Sequence, residues 1–410
     1  MKKTLIAIAA LAATSAFAQS TVTMYGNLDQ SVFRSHYNTD NAISSASNAG
    51  STSLWGIKGM EDLGGGTRAS FDLKSELTLA SGQTGSASTG VSTGAAAGGA
   101  ANAGSSTSNV FNRAAFLGLA NDNMGDFKIG RQNDSWWETT TRFNNTGVNS
   151  FGWANATAAV SGSASAGLMT AGTATAPVAP AGLSNNGAAS TATDLNAGSV
   201  GTGQAFFGGL SYQTPTWKGL NAKYAKGVQK PSYSTSGDVG NVASMSVNYT
   251  QGPLDVGFAR TQRNDSQVAN NGSKLFQNTM LGGAYTYGDY TFKAAINQTR
   301  YSGSLAADSS FHDMNTTAFG VGYQLSAKTK LDVGYTVIKD IETTANKFTQ
   351  LGVNATYSFS KRTSVYAGYG TGKNEGAARF TNVYGGTALV KTDGSNNTVT
   401  SILTGIRHQF

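Results

Sequence analysis

The sequence predicts an all-β fold: a transmembrane antiparallel β-barrel of about sixteen strands, with short periplasmic turns, long extracellular loops and the third loop folded into the lumen. Three observations carry this. Apolar and polar residues alternate with period two along many segments, giving each an apolar and a polar face. Short turns alternate with long polar connections, the asymmetry of outer-membrane barrels. Beyond residue 18 no apolar run approaches the ~20 residues a spanning helix needs.

A chain of 410 residues would ordinarily divide into two or more domains. One large closed barrel is the exception, because its size grows with strand number. Only 12% of residues are charged, about half the ~25% usual in soluble domains. The absence of cysteine agrees with an oxidising compartment.

At the N-terminus, Lys2 and Lys3 precede an apolar run beginning at Leu5 to Leu11, and Ala16-Phe17-Ala18 is a small-x-small cleavage site. Residues 1–18 are expected to be a signal peptide and 19–410 the barrel. Without Lys2 and Lys3, 27 basic residues face 22 acidic ones, a formal charge of +5.

The first strand follows from Val22, Met24, Leu28 and Val32 alternating with Thr23, Tyr25, Asn27, Asp29 and Ser31. Next comes a pair, Leu54 to Asp62 and Thr67 to Leu79, joined by Leu63-Gly64-Gly65-Gly66. In its second member Ala69, Phe71 and Leu73 share one face, and Arg68, Ser70, Asp72, Lys74 and Glu76 the other. Apolar Phe111 to Ala120 turns through Asn121 to Asp126 into Phe127 to Asn133. A charged aromatic loop follows, with Asp134, Trp136, Trp137, Glu138, Arg142, Phe151 and Trp153. It reads as the plug that narrows the barrel, its tryptophans pinning it to the wall. On parity Arg113 goes with Ala115 and Leu117, Phe116 points to lipid, and Arg131 goes with Phe127 and Ile129.

Residues 80–110 and 154–203 are low-complexity Ala, Gly, Ser, Thr and Asn, read as surface loop insertions. Later strands alternate clearly, as in Leu331, Val333, Tyr335 and Val337 against Lys330, Asp332, Gly334 and Thr336. Short turns at Thr214 to Gly219, Gln251 to Pro253, Gly288-Asp289, Ser326 to Thr329 and Ser360 to Arg362 alternate with longer polar connections. Outward rings precede several of them: Tyr212, Tyr249, Tyr287, Tyr323, Tyr357 and Phe359 make one aromatic girdle. Lys223, Lys293 and Arg407 join Asp29, Arg68, Asp72 and Lys74 on the inward parity, while Ile406, His408 and Phe410 face outward at the end.

These motifs resemble the general porins of Gram-negative bacteria, of the β-proteobacterial type. Thr21-Val22-Thr23-Met24-Tyr25-Gly26 is similar to the family's opening "SVTLYG", and Gly56 to Gly66 to its "GxKGxEDLGGG" hairpin. Phe111 to Leu119 matches "FNRxAFxGL", Gly130 to Gln132 matches "GRQ", and Gly405 to Phe410 the ending "G-L-R-H-x-F". The resemblance covers nearly the whole chain apart from the two insertions. It implies a homotrimer of sixteen-stranded barrels in the outer membrane, in contact with lipid and lipopolysaccharide. It also implies assembly by the barrel-insertion machinery, through a signal that Ile406, His408 and Phe410 resemble. The implied function is passive diffusion of small hydrophilic solutes and ions, with a constriction between the third loop (Asp134, Glu138, Arg142) and wall arginines at Arg113 and Arg131. The resemblance is incomplete at two places. Leu54 or Ser53 stands where the family commonly has an arginine, and Gln204-Ala205 lacks another.

Inward Arg and Lys attract anions and repel cations in a narrow gap, so a mild anion preference is expected. Arg113 either lines that gap or sits at the rim. Enzyme chemistry is disfavoured. His36, His312 and His408 lack metal-ligand spacing, so no metal or cofactor is expected. Ser310, His312 and Asp313 lie too close along one loop for a triad. Gly368 to Lys373 fails as a phosphate loop, with Ala367 and Asn374 at required positions. The mild basic excess without interleaved aromatics argues against nucleic acid. A substrate-specific channel and a structural or adhesive barrel remain the alternatives.

Overall fold

The computed structural model describes residues 21–37, 40–80, 82–84, 110–154, 206–227, 241–264, 274–300, 314–341, 347–375 and 397–410. The expected signal peptide and most of both low-complexity insertions lie outside these residues.

Eighteen strands and one helix are described. The strands are β1 Thr21–Tyr37, β2 Asp40–Ser47, β3 Leu54–Gly64, β4 Thr67–Thr78, β5 Gln83–Thr84, β6 Ala114–Asn121, β7 Gly125–Asn133, β8 Phe206–Gln213 and β9 Leu220–Gly227. They continue as β10 Asn241–Gln251, β11 Leu254–Asn264, β12 Lys274–Tyr287, β13 Tyr290–Arg300, β14 Met314–Gln324, β15 Thr329–Asp340, β16 Lys347–Ser358, β17 Thr363–Glu375 and β18 Asn397–Gln409; the helix is α1, Ser135–Arg142. Neighbours pair antiparallel in chain order, and β18 returns to β1, with Asn27 opposite Gln409. The sheet therefore closes and leaves no edge.

β2 and β3 pair with the upper and lower halves of β1, so together they form one wall strand broken at Asn48–Ser53. Among the described residues β5 pairs with the outer end of β4 and adds no strand to the wall, since β4 itself pairs with β6. Eighteen strands thus make a wall of sixteen, the number expected.

The two faces follow the alternation. Val22, Met24, Val32, Leu117, Ile129, Phe319, Leu351 and Ile402 are exposed on the outer surface, where the solvent is lipid. Ser31, Ser244, Ser246, Thr261, Asn278, Asn297, Thr336 and Asn354 are buried on the inner face. Glycine shapes the short turns: Gly64, Gly65 and Gly66 hold φ of +82°, +62° and +74°, a region costly to residues with a Cβ. Rings gather at the short-turn rim: Tyr287 and Phe359 are exposed, and Tyr290 stacks on Tyr323 at 4.7 Å.

One facing differs from the sequence reading. Phe116 points into the lumen, because its register partner on β4 is Asp72, whereas Leu117 pairs with the lipid-facing Phe71. In Ala114–Asn121 small and apolar residues occupy both parities, so only the partner strand fixes the facing.

Candidate functional site

The chain leaves β7 at Asn133 and turns inward. Asp134 is fully buried and caps α1, its carboxylate accepting from the Trp137 N–H at 2.7 Å. This satisfies one of the donors a helix start leaves open, and it takes Asp134 out of the gap where the sequence reading put it. α1 lies against the inner face of β10 to β12. The Ser135 N–H donates to Ser244 Oγ at 2.7 Å, and Trp136 Nε1 to Asn297 Oδ1 at 2.8 Å. Trp136 and Trp153 are fully buried. Trp153 Nε1 donates to the Phe143 carbonyl at 2.8 Å. Trp136 and Trp153 thus hold the loop to the wall and to itself.

Beyond α1 the loop follows the wall over a floor of glycines. A Cβ on Gly282 would come 2.7 Å from the Phe143 ring, one on Gly320 2.2 Å from the Asn145 carbonyl oxygen, and one on Gly352 2.4 Å from Phe151 Cβ. Asn145 Nδ2 donates to the carbonyls of Phe319 and Tyr335 at 3.1 and 3.2 Å. Residues 134–151 therefore run along the inside from β10 to β17, and among the described residues none of this loop crosses to the opposite wall of β3, β4, β6 and β7.

The loop tip ends on the break in the β2–β3 wall strand. The Asn149 and Ser150 N–H groups donate to the carbonyls of Gly50 and Ala49, each at 3.0 Å. Asp29 holds this shelf from below. Its carboxylate accepts from the Gly50 N–H (3.0 Å), the Ser51 N–H (3.1 Å) and the Tyr366 hydroxyl (2.8 Å). Asp29 is inward as expected but fully covered, so it anchors the shelf instead of lining water. Ser53 accepts from the Asp29 N–H and donates to its carbonyl.

The charged groups are mostly paired. Arg113 reaches inward because it precedes β6 and escapes that strand's parity. Its Nε donates to Glu76 Oε2 at 2.7 Å, and both side chains are under a tenth exposed. Glu76 also accepts from Asn48 Nδ2 at 2.8 Å, tying the pair to the shelf. Glu138 meets Lys223 at 2.8 Å, and Arg142 meets Asp255 of β11. Arg68 pairs with Asp122 at 2.7 Å by the short-turn rim, and Lys74 with Asp72 at 3.4 Å. Lys293 donates to the Asn144 carbonyl at 2.8 Å. Arg407 lies opposite the covered Asp29 in register.

Arg131 keeps the outward parity of Ile129, and its Nε donates to the Asn112 carbonyl at 2.7 Å. It buttresses the segment carrying Arg113, which corrects its assignment to the constriction. At the chain end, Ile406 and Phe410 are exposed outside, and His408 Nδ1 lies 2.9 Å from Thr363 Oγ1.

Sequence reasoning missed the shelf, the Glu76 partner of Arg113, and Lys58. Glu76 stood in the inward row of β4 and could have been found there. Lys58 required the register, which sets it opposite Asp72 and Thr23.

A family model described as Gram-negative porin matches residues 4–377. The outer membrane porin protein 32 of Delftia acidovorans is 26% identical, with all of both chains covered. Among solved structures, an anion-selective porin from Comamonas acidovorans aligns with a TM-score of 0.67 at 21% identity, over 96% of this chain and 100% of that one. The trimer form of OmpT from Vibrio cholerae aligns with a TM-score of 0.55 at 16% identity, over 95% and 99%.

Proposed function

The chain belongs to the Gram-negative porin family, and from that premise we propose how its outer-membrane channel selects what passes. The protein is an outer-membrane porin, a passive diffusion channel and not an enzyme. Small hydrophilic solutes and ions cross between the loop 134–151 and the facing wall of β3, β4, β6 and β7. The observation that carries this reading is the seating of the loop along one side of the lumen, from β10 to β17, which narrows it. Glu138 and Arg142 lie on the loop side of the gap, and Arg113, Lys74 and Asp72 on the wall side.

The preference is for anions, and it is mild. Most basic groups there face a carboxylate, so their fields largely cancel within a Debye length of about 8 Å. Among the described residues, Lys58 and Lys293 have no carboxylate in ion-pair reach, leaving a basic excess. The similarity to a porin described as anion-selective supports the same sign. A homotrimer, with lipid and lipopolysaccharide around it, is proposed from the family and from the trimer form of a structural neighbour. Residues 1–18 serve as signal peptide, and Ile406, His408 and Phe410 as the signal for the insertion machinery.

The test is single-channel recording in a planar bilayer under a tenfold potassium chloride gradient. Steady conductance with a reversal potential displaced towards the chloride value is expected. A silent membrane would favour a structural barrel, and a potential displaced towards potassium would overturn the anion preference.

A further inference from the structure

The wall of β1, β3 and β4 carries an arrangement that charge pairing does not explain. On β1 the Tyr25 ring lies against Gly56, where an added Cβ would come 2.9 Å from its Cζ and hydroxyl oxygen. The bare glycine makes room for the ring, and the Tyr25 hydroxyl donates to Asp72 at 2.5 Å. Lys58 and Lys74 both reach this fixed ring, their ammonium nitrogens 5.0 and 5.7 Å from its centroid. At such distances an ammonium is attracted to the ring face. The ring thus restrains two long side chains that would otherwise spread through the lumen.

The charges differ from those of every other pair on this wall. Arg113, Lys128 and Arg68 each have one carboxylate within 2.8 Å or less. Asp72 is the one acid of the cluster, and it already accepts the Tyr25 hydroxyl. Its contact with Lys74 is long, at 3.4 Å, which leaves that ammonium donors to spare. Lys58 is exposed and has no carboxylate in reach among the described residues. Two ammoniums and one acid leave a local excess of one positive charge. Register fixes the depth: Gly56 and Lys74 lie two residues towards the short-turn rim from Leu54 and Glu76. The cluster is therefore about 7 Å along the strand from the Arg113–Glu76 pair.

We propose that Lys58 and Lys74, held on the Tyr25 ring, form a subsite for small dianionic oxyanions on the periplasmic side of the constriction. A dianion is the class that suits this site, because its second charge strengthens its attraction to two ammoniums gathered on one ring relative to a single chloride. The subsite rests on the channel reading above and adds to it a ligand class and a place.

The experiment is titration of the chloride current of wild-type channels with inorganic phosphate at pH 8, and separately with malonate, alongside Lys58→Gln and Tyr25→Phe. Wild-type current should fall with either dianion, more readily when it is added on the periplasmic side. Lys58→Gln should raise the half-blocking concentration roughly fivefold, the size of one exposed ion pair. Tyr25→Phe keeps the ring and should shift block less. Absence of block in wild type, or equal block in Lys58→Gln, overturns the subsite. A wild type that conducts without chloride preference overturns the selectivity reading instead, so the two failures are separate. Lys58 is exposed, and heat-modifiable migration on gels checks that the variant barrel has closed.

Discussion

At the scale of single residues, Arg113 and Glu76 decide most. Taken alone, Arg113 is a positive charge in the pore. With Glu76 under a tenth exposed beside it, the pair is close to neutral for a passing ion. Arg113→Ala should therefore do more than remove an attraction: it leaves a carboxylate uncompensated and shifts the reversal potential towards potassium. Breaking a buried pair on one side costs about 3 kcal/mol or more, visible as a lower unfolding midpoint in detergent. Glu76→Gln should shift the potential towards chloride, and the double variant should fall between the two singles. In stability the double variant should lose less than the sum of the two singles; additive losses of the unfolding midpoint would mean the groups do not interact. The sequence shows why Arg113 alone drew attention. "Phe-Asn-Arg" is a local string, whereas Glu76 comes 37 positions earlier and only register brings it near. Asp134 was misread for a similar reason, since a loop acid and a helix cap look alike until α1 is seen.

Secondary-structure elements were legible wherever one face is lipid. β15 from Lys330 to Val337 and β16 from Gln350 to Tyr357 alternate cleanly because outward positions there are apolar and inward ones meet water or the loop. Leu351→Arg, on the outward face of β16, should destabilise the barrel by about 2–4 kcal/mol in bilayers, the penalty for a mid-membrane charge; a cost near zero would place Leu351 away from lipid. The shelf Asn48–Ser53 was not legible, because small polar residues read as an ordinary loop, and its buried state depends on Asp29 beneath it. The glycine floor was equally silent, since glycine fits both faces of a strand. Its function becomes visible only with the loop in place. Gly320→Ala would set a methyl 2.2 Å from the Asn145 carbonyl oxygen, a backbone atom that cannot rotate away. The loop must then shift towards the gap, so single-channel conductance should fall, at an overpacking cost of about 1–3 kcal/mol. Gly283→Ala, with its nearest neighbour 3.5 Å away, is the control and should conduct as wild type.

For the whole molecule the decisive event is closure, because an open sheet would expose unpaired backbone to lipid at several kcal/mol per group. The seam joins the two ends of the described chain. Gly26 and Phe410 exchange both backbone hydrogen bonds at 3.1 Å, and the Phe410 ring covers Gly26, where a Cβ would come 2.3 Å from its Cζ. The terminal ring thus has a packing part separate from the assembly signal proposed for it. Deleting Phe410 removes the last ladder contact and uncovers Gly26. If the residue acted only as a signal, refolding of the purified chain into detergent micelles, where no insertion machinery is present, would be unaffected. The seam geometry leads to the opposite expectation: refolding without machinery should be slower and the heat-modifiable band less stable, in addition to any loss of assembly in cells. Phe410→Trp, which keeps a large ring over Gly26, should preserve most of the refolding yield, whereas Gly26→Val should mimic the deletion by displacing the ring while leaving the terminal sequence intact. That last variant separates the two parts, since it damages the seam without touching the signal.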